Sequence, residues 1–131
     1  MARDIRTLID DYHTWLKDKT DWQQLTNCIE ITTPYLDRHN DYIQIYLKQE
    51  KDYYILTDDS YTLEDLEQSG YALDSPARQK FLETTLNGFG IQKNKNELFT
   101  EINHRNFALN KHNLIQAILA VNYLFYSKVE C

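Results

Sequence analysis

The order of apolar patterns along the chain predicts an α+β fold with a mainly antiparallel sheet of about five strands flanked by helices. Two observations support this. Short segments with apolar residues at alternate positions occur in pairs joined by turn residues, which is typical of hairpins. Segments with apolar residues at three- and four-residue intervals precede, separate and follow these pairs. The predicted element order is therefore α-β-β-β-α-α-β-β-α.

The first predicted helix covers roughly residues 4–17. It has one apolar stripe, formed by Ile5, Leu8, Ile9, Tyr12, Trp15 and Leu16. A short helical turn is expected at residues 21–26. Both segments precede the first strand signal, so the chain is predicted to begin with helical structure.

Three alternating strands are predicted next, at residues 28–33, 42–48 and 53–57. The polar residues 35–41 are expected to form a loop, because Pro34 ends the first strand or places it at a sheet edge. Residues 49–52 are interpreted as a hairpin turn that pairs Lys48 with Tyr53.

Two helices are predicted after these strands. Thr62 is a suitable N-cap for a helix over 63–69, which Gly70 closes. Ser75 followed by Pro76 begins a second helix, which Gly88 is expected to end.

The last part of the chain predicts a hairpin and a helix. The hairpin strands are residues 91–93 and 97–102, and Asn110 is expected to cap a helix over roughly 111–127. The apolar stripe of that helix consists of Leu114, Ile115, Ile118, Val121, Asn122 and Phe125. This stripe is expected to be core, and it is also a possible seam for a homodimer.

Length and composition favour one domain over residues 1–131. The chain is 42% hydrophobic and has three glycines and two prolines, which is ordinary for a globular domain without long linkers. A secretory leader and a membrane span are not recognisable in the sequence. Two cysteines, Cys28 and Cys131, are too few for a disulfide framework. We therefore expect a cytoplasmic protein that does not enter membranes.

The charge is negative and unevenly distributed. The net charge is −6, and residues 1–74 contain sixteen acidic against seven basic residues, whereas residues 75–131 contain four against seven. A negative field repels a polyanion, so direct binding of bulk nucleic acid is disfavoured. The acidic first part favours a partner with a basic surface.

Four aspartates are candidates for catalysis or metal binding: Asp37, Asp41, Asp58 and Asp59. With Lys48 opposite Tyr53, Asp58 lies opposite Ile43 and on the same face as Asp41, close enough for one cation to bridge the two carboxylates. Asp41 and Asp58 are therefore the candidate ligands for Mg²⁺ or Mn²⁺, which could support phosphodiester hydrolysis. The alternative is that all four aspartates form turns and helix caps.

Seven of the ten tyrosines lie between Tyr35 and Tyr71. Tyr42, Tyr46 and Tyr53 are predicted to share the sheet face opposite Ile43, and tyrosine is enriched at protein interfaces. A helix that covers this face would make them ordinary sheet residues. The predicted interaction surface combines these tyrosines with acidic residues, as follows: Tyr42, Tyr46, Tyr53, Glu50, Asp52, Asp58, Asp59, Glu64 and Asp65.

The four histidines lack the spacing of zinc ligands. We expect no resident cofactor. Only the hydrolase hypothesis requires a metal ion, Mg²⁺ or Mn²⁺.

Several segments resemble an uncharacterised domain family of bacteria and their phages. They are ITTPYLDRHNDYI at 31–43, LTDD at 56–59, TLEDLEQSG at 62–70 and KHNLIQA at 111–117. The resemblance implies a small protein that acts on host machinery, but it carries no activity. The family pattern has glycine after the paired aspartates, where this chain has Ser60. Glycine suits a positive φ, so the turn is expected to differ here.

Three functions are consistent with the sequence. The first is a non-enzymatic phage or mobile-element protein that binds and modulates a host protein, such as an inhibitor of a nucleic-acid-handling or defence nuclease, in the manner of an anti-CRISPR protein. The second is a metal-dependent phosphodiesterase or nuclease that uses the aspartate cluster. The third is a homodimeric structural or interaction module.

Overall fold

The computed structural model describes residues 2–126, and their arrangement confirms the predicted α+β class and element order. The described residues form four helices: α1 (Ala2–Lys19), α2 (Tyr61–Gln68), α3 (Pro76–Phe89) and α4 (Phe107–Leu124). They also form six strands, where about five were predicted: β1 (Asp21–Gln24), β2 (Cys28–Leu36), β3 (Tyr42–Gln49), β4 (Tyr54–Thr57), β5 (Gln92–Asn94) and β6 (Glu97–Ile102). Residue 127, the predicted end of the last helix, and Cys131 lie outside the described range.

The sixth strand is β1, and the predicted helical turn at 21–26 is wrong. Asp21 lies opposite Thr32 and Gln24 opposite Ile29, so β1 is an edge strand on β2. All four β1 residues are exposed. Because neither face of β1 is buried, its sequence shows no alternation of apolar and polar residues. Strand β1 forms because its backbone hydrogen-bonds to β2.

The sheet has the order β1-β2-β3-β4-β6-β5, with antiparallel pairing throughout. The core forms between one face of this sheet and helices α2, α3 and α4. The sheet contributes Ile31, Ile43, Ile45, Leu56, Leu98 and Ile102, and the helices contribute Leu63, Leu66, Leu82, Leu86, Leu114, Ala117, Ile118, Val121 and Leu124. The opposite face carries polar residues at the alternate positions, such as Glu30, Gln44 and Lys48.

The predicted register of the β3–β4 hairpin is wrong by one residue on each strand. Gln49 lies opposite Tyr54, and Tyr46 lies opposite Thr57. The loop has the predicted length but begins one residue later. Each side chain therefore lies on the sheet face that was predicted for it. The end of β4, however, lies two positions further along β3 than predicted, a difference of about 7 Å at 3.3 Å per residue.

A bulge in β2 bends the strand beside β3. The register changes between Thr32, opposite Gln44, and Leu36, opposite Tyr42. The buried Thr33 hydroxyl donates to the Ile43 carbonyl at 2.8 Å, a bond that replaces a ladder bond lost at the bulge. Strand β2 thus continues through Pro34 to Leu36, beyond the predicted end at residue 33.

The helix boundaries differ from the prediction at three places. At the start of helix α2 the Asp58 carboxylate, and not the Thr62 side chain, accepts a backbone hydrogen bond, which the Thr62 N–H donates. Helix α3 begins as predicted, with the Ser75 hydroxyl accepting from the Arg78 N–H, but it continues past Gly88. Helix α3 ends at Gly90, which has a left-handed φ of 70°. A glycine ends a helix only where the backbone takes this conformation, and Gly88 lies within the helix. Helix α4 begins at Phe107, ahead of the predicted cap at Asn110.

None of the helices within residues 2–126 combines the length and the apolar composition of a membrane span.

Candidate functional site

An open cavity of about 530 Å³ lies at one end of the sheet. It is bounded by the β2–β3 loop, the first half of β3 and the start of α2. Its lining includes six carboxylates, from Asp37, Asp41, Asp58, Asp59, Glu64 and Asp65, and three tyrosines, Tyr42, Tyr46 and Tyr61. All four aspartates predicted as candidates therefore line one cavity.

The cavity exists because β3 is twice as long as β4. Strand β4 pairs with the second half of β3, from Tyr46 to Gln49, whereas residues 42–45 pair with β2 alone among the described strands. Beyond Thr57 the chain turns towards β6, where the Asp58 N–H donates to the Leu98 carbonyl at 3.1 Å. Helix α2 then begins at Tyr61, which leaves a gap beside the first half of β3.

The β2–β3 loop is closed by Asp37. Its Oδ1 accepts the N–H groups of His39 at 2.8 Å and Asp41 at 3.0 Å. The backbone N–H of Asp37 donates to the Asp41 carbonyl, and Asn40 takes a positive φ of 62°. The Asp37 side chain thus has the turn-forming role that was the alternative to catalysis.

Arg38 fixes this loop to the helices. Its Nη2 lies 2.6 Å from Asp65 Oδ2 and 2.9 Å from the Ser69 hydroxyl, and its guanidinium lies 4.5 Å from the centroid of the Phe125 ring. The backbone N–H of Arg38 donates to Asn122 Oδ1 at 3.3 Å. The side chain is almost fully buried, so Arg38 holds the cavity wall and does not offer its charge to solvent.

The carboxylate of Asp65 is therefore engaged by side chains of the protein itself. Besides Arg38, His39 Nε2 lies 2.9 Å from its Oδ1. The sequence interpretation placed Asp65 on an interaction surface and overlooked Arg38, His39 and Asn122. Two signals were present: Arg38 and His39 lie within the segment that carries the family resemblance, and Asn122 is the one polar residue in the stripe of α4.

Asp58 is also a structural residue. Its side chain is buried and accepts N–H groups from Ser60 at 2.9 Å, Thr62 at 3.0 Å and Leu98 at 3.0 Å. Burial raises the pKa of Asp58, while the hydrogen bonds from Leu98, Thr62 and Ser60 oppose this rise. This carboxylate ties together the end of β4, the start of α2 and β6.

The register from which a shared metal site of Asp41 and Asp58 was predicted is not the observed one. In the observed register the end of β4 has moved away from Asp41, and the Asp58 oxygens face backbone donors. Across residues 2–126, histidine, cysteine and acidic side chains do not form a group of three or more that could hold a metal ion.

Three carboxylates remain open to solvent at the mouth of the cavity. Asp59 is more than half exposed and pairs with Lys48 at 2.7 Å. Asp41 and Glu64 are exposed, and within the described part of the chain their carboxylates have no hydrogen-bond or ion-pair partner. Tyr42 and Tyr61, both more than half exposed, stand beside them.

The pKa of Tyr61 is affected by the carboxylates that line the cavity. Burial raises the pKa of its phenol, and the charges of Asp65, Asp37 and Asp41 raise it further, whereas Arg38 acts in the opposite direction. The phenol therefore lies in a net negative field, despite the ion pair between Arg38 and Asp65.

The predicted interaction residues divide into two groups at opposite ends of β3. Tyr42, Asp58, Asp59, Glu64 and Asp65 line the cavity. The half-buried Tyr46 also lines the cavity, whereas Glu50, Asp52 and Tyr53 lie in the turn between β3 and β4 and are exposed. The seven steps from Tyr42 to Gln49 span about 23 Å at 3.3 Å per residue, so the two groups do not form one compact site.

The sequence of this region identifies the family of the chain. A model described as "Domain of unknown function DUF1828" matches residues 33–121, a range that includes the cavity-forming loop, β3, β4 and α2. The chain belongs to this family. No curated protein and no solved structure shows significant similarity to the chain. The predicted resemblance to an uncharacterised domain family is thus confirmed.

Proposed function

We propose that this protein is a non-enzymatic interaction protein that binds a basic segment of a host protein in the acidic cavity and thereby modulates that protein. The observation that carries the proposal is the convergence of carboxylates from three elements, the β2–β3 loop, the β4–α2 junction and α2, on one open cavity.

The chemistry of the cavity favours a cationic guest. Asp41 and Glu64 offer carboxylates without a described partner, and Asp59 is solvent-exposed beside them. Two exposed tyrosines at the mouth can pack along the aliphatic part of a lysine or arginine and lie against its charged end. The volume of about 530 Å³ lies in the range of about 300–1,000 Å³ that is usual for small binding sites.

The partner surface that we propose is one that normally holds phosphates. Carboxylates can take the place of phosphates on lysine and arginine side chains, because both are oxyanions that accept charge-assisted hydrogen bonds. The acidic excess in residues 1–74, sixteen acids against seven bases, would steer the protein towards such a surface. The protein would then inhibit a nucleic-acid-handling enzyme by occupying its binding groove.

We prefer this proposal to the metal-dependent hydrolase, which was the second of the three functions consistent with the sequence. The hydrolase required Asp41 and Asp58 to share a cation, and Asp58 is committed to three backbone N–H groups. Removing that carboxylate from the backbone would leave buried donors without partners.

The test compares two charge-reversal variants of equal size. Asp41→Lys with Glu64→Lys changes the cavity, and Glu50→Lys with Asp52→Lys changes the far end of the hairpin by the same charge. Immobilised wild-type protein should retain a partner from bacterial lysate at low salt and release it at high salt. The cavity variant should lose the partner, whereas the hairpin-turn variant should keep it.

A second step decides whether the partner surface is one that holds phosphates. Single-stranded and double-stranded oligonucleotides should compete with the protein for the purified partner. Equal retention by both variants would show that overall charge, and not the cavity, attracts the partner. A partner that binds nucleic acid and this protein simultaneously would contradict the inhibitory part of the proposal.

A further inference from the structure

An apolar groove of about 310 Å³ lies between the edge of the sheet and the start of α4. Strand β2 lines it with Ile29 and Ile31, β1 with Trp22, and α4 with Phe107 and Lys111. Ile29 and Ile31 share a sheet face because they are two positions apart, and Trp22 lies opposite Ile31. Phe107 and Lys111 are four positions apart and therefore lie on one side of α4. The groove thus has one wall from the sheet and one from the helix layer.

The groove is open because α4 packs mainly on the middle of the sheet. Its contacts are with β4 and β6, whereas β1 lies at the sheet edge, three strands from β4. As a result Ile29 and Phe107 are only partly buried, and Trp22 is 68% exposed. Apolar side chains that the domain would otherwise enclose are therefore accessible from solvent.

Lys111 is the one charged side chain in the described lining of this groove. It is half-buried, and within residues 2–126 its ammonium has no hydrogen-bond or ion-pair partner. Burial lowers the pKa of Lys111, because the ammonium loses hydration there. The Thr20 hydroxyl, also in the lining, already donates to the Leu16 carbonyl at 2.7 Å. An anion in the groove would supply the partner that the ammonium lacks.

The first turn of α4 adds positive potential at the same end of the groove. Asn106 precedes this helix, but its side-chain oxygen accepts the Asn103 N–H at 2.7 Å and does not cap α4. The N–H groups of the first turn therefore keep their partial positive charge. Phe107, the first residue of α4, lines the groove, so this charge lies on the same side of the groove as Lys111.

We propose that this groove binds a free, short-chain aliphatic carboxylate, with the carboxylate on Lys111 and the chain along Ile29 and Phe107. The ammonium selects an anion, since lysine only donates hydrogen bonds. The walls select a chain without polar groups, because a buried polar group would find no partner there. The volume is at the lower end of the range of about 300–1,000 Å³ that is usual for small binding sites, which favours a short chain.

The groove is independent of the proposed function. It shares no lining residue with the acidic cavity. It also differs from the homodimer seam that the sequence suggested on α4, because the seam residues Leu114, Ile115, Ile118 and Val121 are buried in the core. The carboxylate site and the binding of a basic partner can therefore each fail without the other.

The first experiment titrates the full chain with octanoate and follows the methyl signals of labelled isoleucine by NMR. Ile29 and Ile31 should shift and saturate, whereas Ile43 and Ile118, which line the acidic cavity, should not shift. Hexanoate has two methylenes fewer and should bind about tenfold more weakly. Unchanged signals of Ile29 and Ile31 would overturn the proposal. So would an equal shift of the exposed Ile5 on α1, which would show adsorption to any apolar surface.

The second experiment tests the role of the charge. On the wild-type chain, octanoate should bind at least about tenfold more tightly than octanol or octylammonium, which have the same chain. Lys111→Met keeps an unbranched side chain and should weaken octanoate by the same factor while leaving octanol unchanged. Lys111→Arg should retain octanoate binding, and Lys80→Met, at an exposed lysine of α3, is the control that should not alter it.

Circular dichroism shows whether each variant is folded, and the comparison of the three ligands on the wild-type chain requires no variant. Equal affinities for octanoate and octanol would show that the groove takes any apolar chain. Octanoate binding that survives Lys111→Met would place the carboxylate elsewhere. Either result contradicts the proposal.

Discussion

Arg38 and Asp65 form an ion pair of 2.6 Å that joins the β2–β3 loop to α2, and almost all of the Arg38 side chain is buried in this contact. Asp59, which also lines the cavity, forms an ion pair of 2.7 Å with Lys48, but both of these side chains are considerably more exposed. The two pairs have nearly the same length and different surroundings, so their contributions to stability should differ.

We predict that Arg38→Ala lowers the free energy of unfolding by about 2–4 kcal/mol, because it leaves the carboxylate of Asp65 without its buried partner. Lys48→Ala should change it by less than about 1 kcal/mol, because solvent screens an exposed pair. Urea unfolding followed by circular dichroism measures both. Equal effects of the two substitutions would show that burial of Arg38 does not determine the strength of its ion pair.

Asp58 provides a second comparison of a buried with an exposed carboxylate. Asp58→Asn replaces one acceptor oxygen by a donor opposite a buried backbone N–H, and should destabilise the protein by about 1–3 kcal/mol. Asp58→Ala should destabilise it more, because it leaves all three N–H groups unpaired. The control is Asp59→Asn, which loses only the exposed pair with Lys48 and should be nearly neutral. If Asp58→Asn were stabilising, the carboxylate would not be the cap that we describe.

The turn after β4 contains two consecutive residues with positive φ, Asp59 at 58° and Ser60 at 70°. Ser60 thus adopts the left-handed conformation that favours glycine, the residue that the family pattern has at this position. Left-handed backbone is unfavourable for residues with a Cβ atom, by roughly 1–2 kcal/mol.

We therefore expect Ser60→Gly to raise the free energy of unfolding by about 0.5–1 kcal/mol, because relief of strain exceeds the greater flexibility of glycine in the unfolded chain. Ser60→Ala keeps the Cβ atom and removes only the hydroxyl, so it should give no such gain. Thermal melting of the three proteins tests this. A gain for alanine equal to that for glycine would point to the hydroxyl and not to φ.

The raised pKa of Tyr61 predicts a pH dependence. Because the folded protein favours the neutral phenol, the stability contributed by Tyr61 is complete below the unfolded pKa of about 10 and is lost as the pH rises through the raised folded pKa. Asp41→Asn should lower the pKa of Tyr61 but leave it above the ordinary value, because burial is the larger cause.

This titration also reports binding in the cavity. NMR of ring-labelled tyrosine follows it, with the Tyr61 signal assigned from the Tyr61→Phe variant. A lysine or arginine side chain in the cavity should stabilise the phenolate and move the pKa of Tyr61 downwards. An unchanged pKa in Asp41→Asn would show that Asp41 is screened from the cavity interior.

The sequence by itself determined those features that depend on local periodicity. Apolar spacing identified α1, and alternation assigned Ile43 and Ile45 to the core face of β3. Ser75 and Pro76 identified the start of α3. These predictions succeeded because a helix or strand repeats its side-chain direction at a fixed interval, whatever it packs against.

Only the tertiary structure decided which residues meet. A hairpin loop that begins one residue later changes no face and no local pattern, yet it shifts the end of β4 by two positions along β3 from the predicted register, away from Asp41. The burial of Asp58 and Arg38 depends on contacts with β6 and α2 that are distant in sequence. The exposure of α1 likewise cannot be predicted from periodicity. An amphipathic stripe indicates that one side of a helix is apolar, but it does not show whether the rest of the domain packs against that side.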